Sequence, residues 1–135
     1  MGTWGIGSFE NDDAADFMID LLDSGDLSLV REVLDNVLTS TEYVEAPDAT
    51  LAIVGAEIVA AARGRPTVAA QQEEGLADWL ARIRPTIDAD LTTPAREALT
   101  RILADNSELR ELWEETDDIH DWQAVVSELR SHLDP

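Results

Sequence analysis

The acid best suited to chemistry in this sequence is Glu57, because it lies in the most apolar stretch of the chain. On a helix its same-side neighbours would be Ile53, Val54, Ala60 and Ala61. An ionised carboxylate among such side chains needs a partner, and burial shifts its pKa as it does in many catalytic acids. Three roles are open: a structural contact with an arginine or a hydrogen-bond donor, a solvated gap, and catalysis or metal binding. The structural contact is favoured because buried charges are usually paired.

A second candidate pair, Asp117 and His120, has the i,i+3 spacing of one helical turn. Carboxylate and imidazole at this spacing bind metals in helical di-metal proteins, but those sites draw several Glu and Glu-x-x-His ligands from different helices. The only other histidine here is His132. We therefore expect no metal site and no cofactor, and we interpret His120 as a polar residue near a helix start.

The N-terminal segment alternates glycine with large apolar residues and then runs into acids. No strand precedes it and no Gly-Lys-Ser/Thr follows, so it does not fit a phosphate loop, and its acids would repel a phosphate at the helix start. We interpret it as structural, with aromatic rings packed on the bundle, glycines that let the backbone run close to the helices, and acids in the first helical turn. The residues of this motif are Trp4, Gly5, Gly7, Phe9, Asn11, Asp12 and Asp13.

Other catalytic patterns are missing from the sequence. There is no cysteine, and none of the serines lies in a Gly-x-Ser-x-Gly frame. Three of the four tryptophans, Trp79, Trp113 and Trp122, fit the apolar stripes of helices, which favours the core over an aromatic binding pocket.

The elements that must position these residues are helices, because the apolar periodicity is helical throughout. The first helix begins near Asn11 or Asp12 and ends before Gly25, and Asp26 is placed to cap the second. A third helix lies between Pro47 and Gly64 and is apolar on nearly every side, which predicts a central, buried helix.

The remaining helices are less sharply bounded. A polar connection around residues 71–74 precedes a short helix from Leu76 that Pro85 halts. Thr93 and Pro94 restart a helix whose stripe reaches Trp113, with a break at residues 106–107 left open, and a last helix runs from residue 119 to 133. The sequence therefore predicts one all-α domain over residues 1–135, a bundle of about six helices around the helix at 47–63, with an ordered N-terminal segment.

The net charge of the chain limits the classes of macromolecule that it can bind. The chain has 29 acidic and 9 basic residues, all of the latter arginine, and a formal net charge of −20. Such a field repels nucleic acid and anionic membranes and favours a basic protein. Two alternatives explain the same composition. Negative charge maintains solubility while a general bias towards arginine replaces lysine, or the protein is adapted to high salt. With no apolar run of ~18 residues and no leader-like start, we expect a cytoplasmic protein; its oligomeric state is left open.

Several motifs together resemble the bacterial family known as domain of unknown function 4259. The likeness covers almost the whole chain, and its opening motif is the most specific part. The resemblance implies a compact bacterial protein and brings no activity, cofactor or partner with it. It is carried by Trp4-Gly5-Ile6-Gly7-Ser8-Phe9-Glu10-Asn11-Asp12-Asp13-Ala14, Glu45-Ala46-Pro47-Asp48, Ala56-Glu57-Ile58-Val59-Ala60-Ala61, Gly64, Glu108-Leu109 and Leu112-Trp113.

The sequence favours a non-catalytic, acidic protein-interaction module, with an antitoxin-like or immunity-like role as its narrowest form. The alternative is a small hydrolase or metal-dependent enzyme that uses carboxylates around Glu57 or the Asp117/His120 pair. Carboxylates converging in a pocket would favour the enzyme, and a flat acidic face would favour the binding module.

Overall fold

The all-α prediction is confirmed. The computed structural model describes residues 5–40, 42–87 and 89–135, so Trp4 and its predicted packing lie outside the described residues. Within those ranges there are eight helices and no strand; the only β-type pairing is an isolated bridge between Val44 and Ser107. The helices are α1 (Asp12–Asp23), α2 (Ser28–Leu38), α3 (Ala46–Ala62), α4 (Val68–Gln72), α5 (Leu76–Ile83), α6 (Ala89–Leu103), α7 (Glu108–Glu114) and α8 (Ile119–Ser131).

Side-chain oxygens accept backbone hydrogen bonds at the starts of the first two helices. Asn11 is the N-cap of α1, where its side-chain oxygen accepts a hydrogen bond from the backbone N–H of Ala14 at 2.8 Å. Asp12 and Asp13 occupy the first turn, where the helix dipole favours negative charge. The N-cap of α2 is Leu27, so Asp26, the predicted cap, lies one residue before it, and its side chain accepts from the backbone N–H of Ser28 at 3.0 Å.

Helix α3 is the centre of the bundle, as its all-round apolar sequence predicts. Every residue from 52 to 60 is buried, and the helix packs against α1, α2, α4, α6, α7 and α8. Pro47 lies in its first turn, one position later than predicted, and Gly64 follows its C-cap with a φ of +87°. A glycine at that position ends the helix without the steric penalty that a side chain would bring.

Three details differ from the sequence prediction. Helix α4 was not predicted, because five residues are too short to show a period; the Thr67 side chain starts it by accepting from the N–H of Ala70. Helix α6 begins at Ala89 and contains Pro94, whose missing N–H removes one hydrogen bond without ending the helix. The stripe that reaches Trp113 is broken at Asn106, which has a φ of +62° and separates α6 from α7.

Polar and aromatic contacts tie the outer helices to the core. The ring N–H of Trp79 donates to the backbone carbonyl of Ser24 at 2.9 Å, which fastens α5 to the α1–α2 connection. Trp113 and Trp122 stack with their ring centroids 6.4 Å apart, which joins α7 to α8. All three rings are buried, so the prediction that they belong to the core is confirmed.

No helix within the described ranges combines the length and the apolar character that a membrane crossing requires.

The contact between Gly55 of α3 and helix α2 supplies a test of the packing. A Cβ atom added to Gly55 of α3 would lie 2.8 Å from a methyl carbon of Val33 on α2. Val33 is buried and β-branched, so it has little freedom to move away. We expect Gly55→Ala to destabilise the fold, because overpacking of about 1–3 kcal/mol opposes a helix-propensity gain of roughly 1 kcal/mol. Urea denaturation measures the change.

Two controls separate packing from propensity. Gly25→Ala places its Cβ in open space, with no atom within 4 Å, and should leave stability nearly unchanged. In a Val33→Ala background the methyl group in the way is gone, so Gly55→Ala should cease to destabilise. A Gly55→Ala protein that is more stable than wild type would contradict the close α2–α3 packing.

Candidate functional site

The carboxylate of Glu57 lies inside the bundle and is held by two hydroxyl groups. The residue is 1% exposed. The Ser8 hydroxyl donates to Oε2 at 2.6 Å, and the Thr67 hydroxyl donates to Oε1 at 2.7 Å. Both donors are themselves buried. Of the contacts left open by the sequence, the hydrogen-bonded one is therefore observed, and the donors are hydroxyls rather than an arginine.

Each donor is positioned by its own local structure. Thr67 is the N-cap of α4, so its oxygen accepts from the N–H of Ala70 at 3.2 Å while its hydrogen is directed to Glu57. Ser8 lies in a turn closed by backbone hydrogen bonds from Gly5 to Glu10 at 3.0 Å and from Glu10 to Gly7 at 3.1 Å. Glu57 consequently joins α3 to the segment before α1 and to the start of α4.

The N-terminal glycines make room for a side chain of this turn, and the expectation that they let the backbone approach the helices stays a prediction. A Cβ at Gly5 or Gly7 would overlap the side chain of Glu10, whose carboxylate accepts from the N–H of Gly7 at 3.1 Å. The loop amide is thus used by an acid of the same turn. Phe9 is half-buried and packs against the core.

Burial raises the pKa of the Glu57 carboxyl above its ordinary value. The Ser8 and Thr67 hydrogen bonds and the charge of His132 act in the opposite direction, and the charge of Glu128 adds to the rise. Removal from water outweighs the two donors, so the ionised form of Glu57 is disfavoured relative to an exposed glutamate.

The cavity beside Ser8 is too small to hold a substrate. A serine hydroxyl beside a carboxylate resembles a nucleophile with its base. However, the cavity that Ser8 lines has a volume of about 20 Å³, which holds about one water molecule. Its walls come from the N-terminal turn, α3, α7 and α8, and include Thr50 and Trp113. The geometry of Glu57 therefore supports a structural junction.

Asp117 and His120 are both exposed and lie on either side of the start of α8. Asp117 lies in the turn before Asp118, the N-cap of α8, while His120 is within the first turn of the helix. The Thr116 hydroxyl accepts from the N–H of Asp118 and holds the turn that contains Asp117. Among the described residues no group of three or more Asp, Glu or His side chains is arranged to hold a metal ion.

Several arginines bind backbone carbonyl groups. Arg63 and Arg65 donate to the carbonyl of Asp134 at 2.8 and 3.1 Å and so fasten the end of α8 to the end of α3. Arg101 donates to the carbonyls of Asp105 and Asn106 at 2.9 and 3.1 Å and holds the α6–α7 connection. These guanidinium groups act as structural donors to the main chain.

Ion pairs are formed by Arg110, with Asp105 at 3.3 Å and Glu114 at 3.8 Å. The Asp105 side chain is 94% exposed, and an exposed pair of this kind contributes roughly 0–1 kcal/mol. Arg110 also donates to the carbonyl of Leu103 at 3.0 Å. The use of arginine on carbonyls was not predicted, since no sequence pattern specifies a carbonyl partner.

The raised pKa of Glu57 gives a prediction about stability and pH. Because the pKa is higher in the folded than in the unfolded chain, the folded state binds the extra proton. The resulting stabilisation is complete below the unfolded pKa and is lost as the pH rises through the folded pKa. Glutamine does not titrate, so Glu57→Gln lacks this dependence. The free energy of unfolding of wild type should therefore fall relative to that of Glu57→Gln as the pH rises from the unfolded to the folded pKa of Glu57.

Chemical denaturation of both proteins over a series of pH values measures this difference. The exposed Glu32→Gln serves as the matched control, because it removes a glutamate charge from the surface. Parallel stability curves for wild type and Glu57→Gln would show that the carboxyl does not have a raised pKa in the folded state.

The comparisons with known proteins give a family and no activity. The family model described as domain of unknown function (DUF4259) matches residues 2–125. No curated protein and no solved structure matches the chain. Because the match spans nearly the whole sequence, the chain belongs to the DUF4259 family.

Proposed function

We propose that this protein is a non-catalytic, acidic interaction module that binds a basic protein in the cytoplasm. The single observation that carries the proposal is the excess of 29 acidic over 9 basic residues, a formal net charge of −20. The arginines that donate to carbonyl groups keep their own positive charge, but they are too few to balance the acids. The negative field then extends into solvent, where it attracts a positively charged partner.

Exposed acids are present on several helices, which supports a broad field rather than a single pocket. Asp16 and Asp20 lie on the outer side of α1, Asp35 on α2 and Asp78 on α5, all exposed. A field of this kind accelerates association and selects against nucleic acid and acidic proteins. It gives specificity for charge without a catalytic group.

The enzyme alternative lacks comparable support in the described part of the chain. Glu57 is a single enclosed acid whose two oxygens already accept hydrogen bonds from Ser8 and Thr67. Asp117 and His120 are exposed and lie on different local structures. Among the described residues no group of three or more acidic or histidine side chains is arranged to hold a metal ion.

An antitoxin-like or immunity-like role is the narrowest form of the proposal. Its support is the small size and the net charge of −20, which suit a protein that covers a basic partner. In that case the captured partner should have an activity that the purified chain inhibits at a ratio near one to one.

The proposal predicts a strong dependence on salt. The immobilised chain should retain basic proteins from a native extract, and the association rate constant of a retained partner should fall as salt is added, because exposed charges are screened over about 8 Å at physiological ionic strength. Mass spectrometry identifies the partner, and stopped-flow kinetics over a salt series measures the rate.

A charge-reduced variant is the matched control. Asp16→Asn, Asp20→Asn, Asp35→Asn and Asp78→Asn together remove exposed charges from three helices without touching the core. This variant should associate more slowly and with a shallower salt dependence. A partner whose affinity and rate are indifferent to salt, or equal for both proteins, would remove charge as the basis of recognition.

A further inference from the structure

One part of the surface combines acids with exposed apolar side chains. Tyr43 is 43% exposed and Leu112 is 41% exposed. The Tyr43 hydroxyl donates to Oε1 of Glu111 at 2.8 Å, and Leu112 follows Glu111 on α7. Glu108 lies one turn before Leu112, and the exposed Glu45 is two residues from Tyr43. We call this surface the Tyr43 face, defined as Tyr43, Glu45, Glu108, Glu111 and Leu112.

Backbone hydrogen bonds of Val44 hold the chain beneath the Tyr43 face to the start of α7. The N–H of Val44 donates to the carbonyl of Asn106 at 3.0 Å, and the N–H of Glu108 donates to the carbonyl of Val44 at 2.9 Å. Glu108 also accepts, through Oε1, from the N–H of Ala46 at the start of α3 at 2.7 Å. A surface that is fixed before binding loses less conformational entropy when a partner docks.

The acids of the Tyr43 face act on the tyrosine. The hydrogen bond to Glu111, partial burial and the charges of Glu111, Glu108 and Glu45 raise the pKa of Tyr43 to about 12. The ring therefore stays neutral, with its hydroxyl donating to a carboxylate and its face close to negative charge. A cation placed over such a ring is attracted by both the π-system and the glutamates.

Other exposed apolar residues lack this arrangement. Ile19 on α1 and Val68 on α4 are each more exposed than Tyr43, but no aromatic residue in the described ranges accompanies them as an exposed partner. Isolated exposed aliphatic residues are common on protein surfaces and carry no functional meaning alone. Tyrosine, in contrast, is enriched among the residues that dominate binding energy at interfaces.

We propose that the Tyr43 face is the docking surface of this module and binds a protein segment that presents arginine beside an apolar side chain. This inference rests on the proposed function, since it locates the basic partner on one surface. The guanidinium group fits over the Tyr43 ring and against Glu45, Glu108 or Glu111, while the apolar side chain covers Leu112. Charge complementarity selects the basic segment, and the exposed leucine selects an amphipathic one.

The test uses two labelled peptides and matched variants of the full chain. In the first peptide arginine and leucine alternate, and in the second serine replaces each leucine. Fluorescence anisotropy measures affinity, and amide chemical shifts in the NMR spectrum of the wild-type chain locate the peptide. We expect tighter binding of the arginine–leucine peptide, with shifts concentrated at residues 43–45 and 107–112.

The variants compare equal changes of charge at two places. Glu108→Gln with Glu111→Gln should weaken binding of the arginine–leucine peptide by about tenfold or more. Asp16→Asn with Asp20→Asn removes the same charge from α1 and should have a much smaller effect on the affinity.

A second pair of variants tests the apolar contact. Leu112→Ser should abolish the preference for the leucine-containing peptide, whereas Val68→Ser should preserve it. Thermal melting checks that each variant is folded. The NMR shifts of the wild-type chain locate the bound peptide without using any variant, so this part of the test does not depend on variant folding.

The outcomes separate this inference from the proposed function. Equal losses of peptide affinity in the two charge variants, with amide chemical-shift changes spread over α1, would overturn the assignment of docking to the Tyr43 face. The proposed function as a general acidic binding module would remain. A wild-type chain that binds neither peptide even at low salt would overturn both. Selective loss in the Glu108/Glu111 variant, with shifts at the Tyr43 face, is the result that we expect.

Discussion

The hydrogen-bonded carboxylate of Glu57 is the polar constraint on which the arrangement around α3 depends. A helix buried on nearly every side has no place for an ionisable group unless other residues supply donors. Ser8 and Thr67 supply them, and in doing so they bring the N-terminal turn and the start of α4 against the central helix. The small cavity beside Ser8 is lined in part by the same turn. One side chain thus links two segments to the central helix.

The arginines solve a related problem at the ends of helices. Carbonyl groups beyond the last turn of a helix need donors. Arg63 and Arg65 donate to the carbonyl of Asp134 after α8, and Arg101 donates to carbonyls that follow its own helix, α6. These hydrogen bonds stabilise connections between helices, while the excess of acidic over basic residues keeps the surface negative. The Tyr43 face is the place where this exposed charge meets exposed apolar area.

Sequence reasoning succeeds where the information is local. The start of α1 near Asn11, the all-round apolar character of α3 and the buried tryptophans follow from spacing and residue type, and the structure agrees. The short helix α4 was missed, because a single turn has no periodicity. The partners of Glu57 lie 49 and 10 residues away in the sequence. Burial of the acid could be inferred from its neighbours, but the identity of its donors depends on tertiary contacts that no local pattern encodes. The interpretation of His120 as a polar residue near a helix start also rests on local information, and His120 is exposed in the first turn of α8.

The role of Glu57 as a junction is tested most directly by amide hydrogen exchange in Ser8→Ala. This change removes one donor to the carboxylate and leaves the backbone of the N-terminal turn intact, whereas a change at Thr67 would also remove the cap of α4. Ser127→Ala, at an exposed position of α8, is the control. We predict faster exchange of the Gly5 and Glu10 amides in Ser8→Ala, with exchange in α8 unchanged in both variants. Equal protection of these two amides in wild type and Ser8→Ala would contradict the claim that Glu57 holds the N-terminal turn on the bundle.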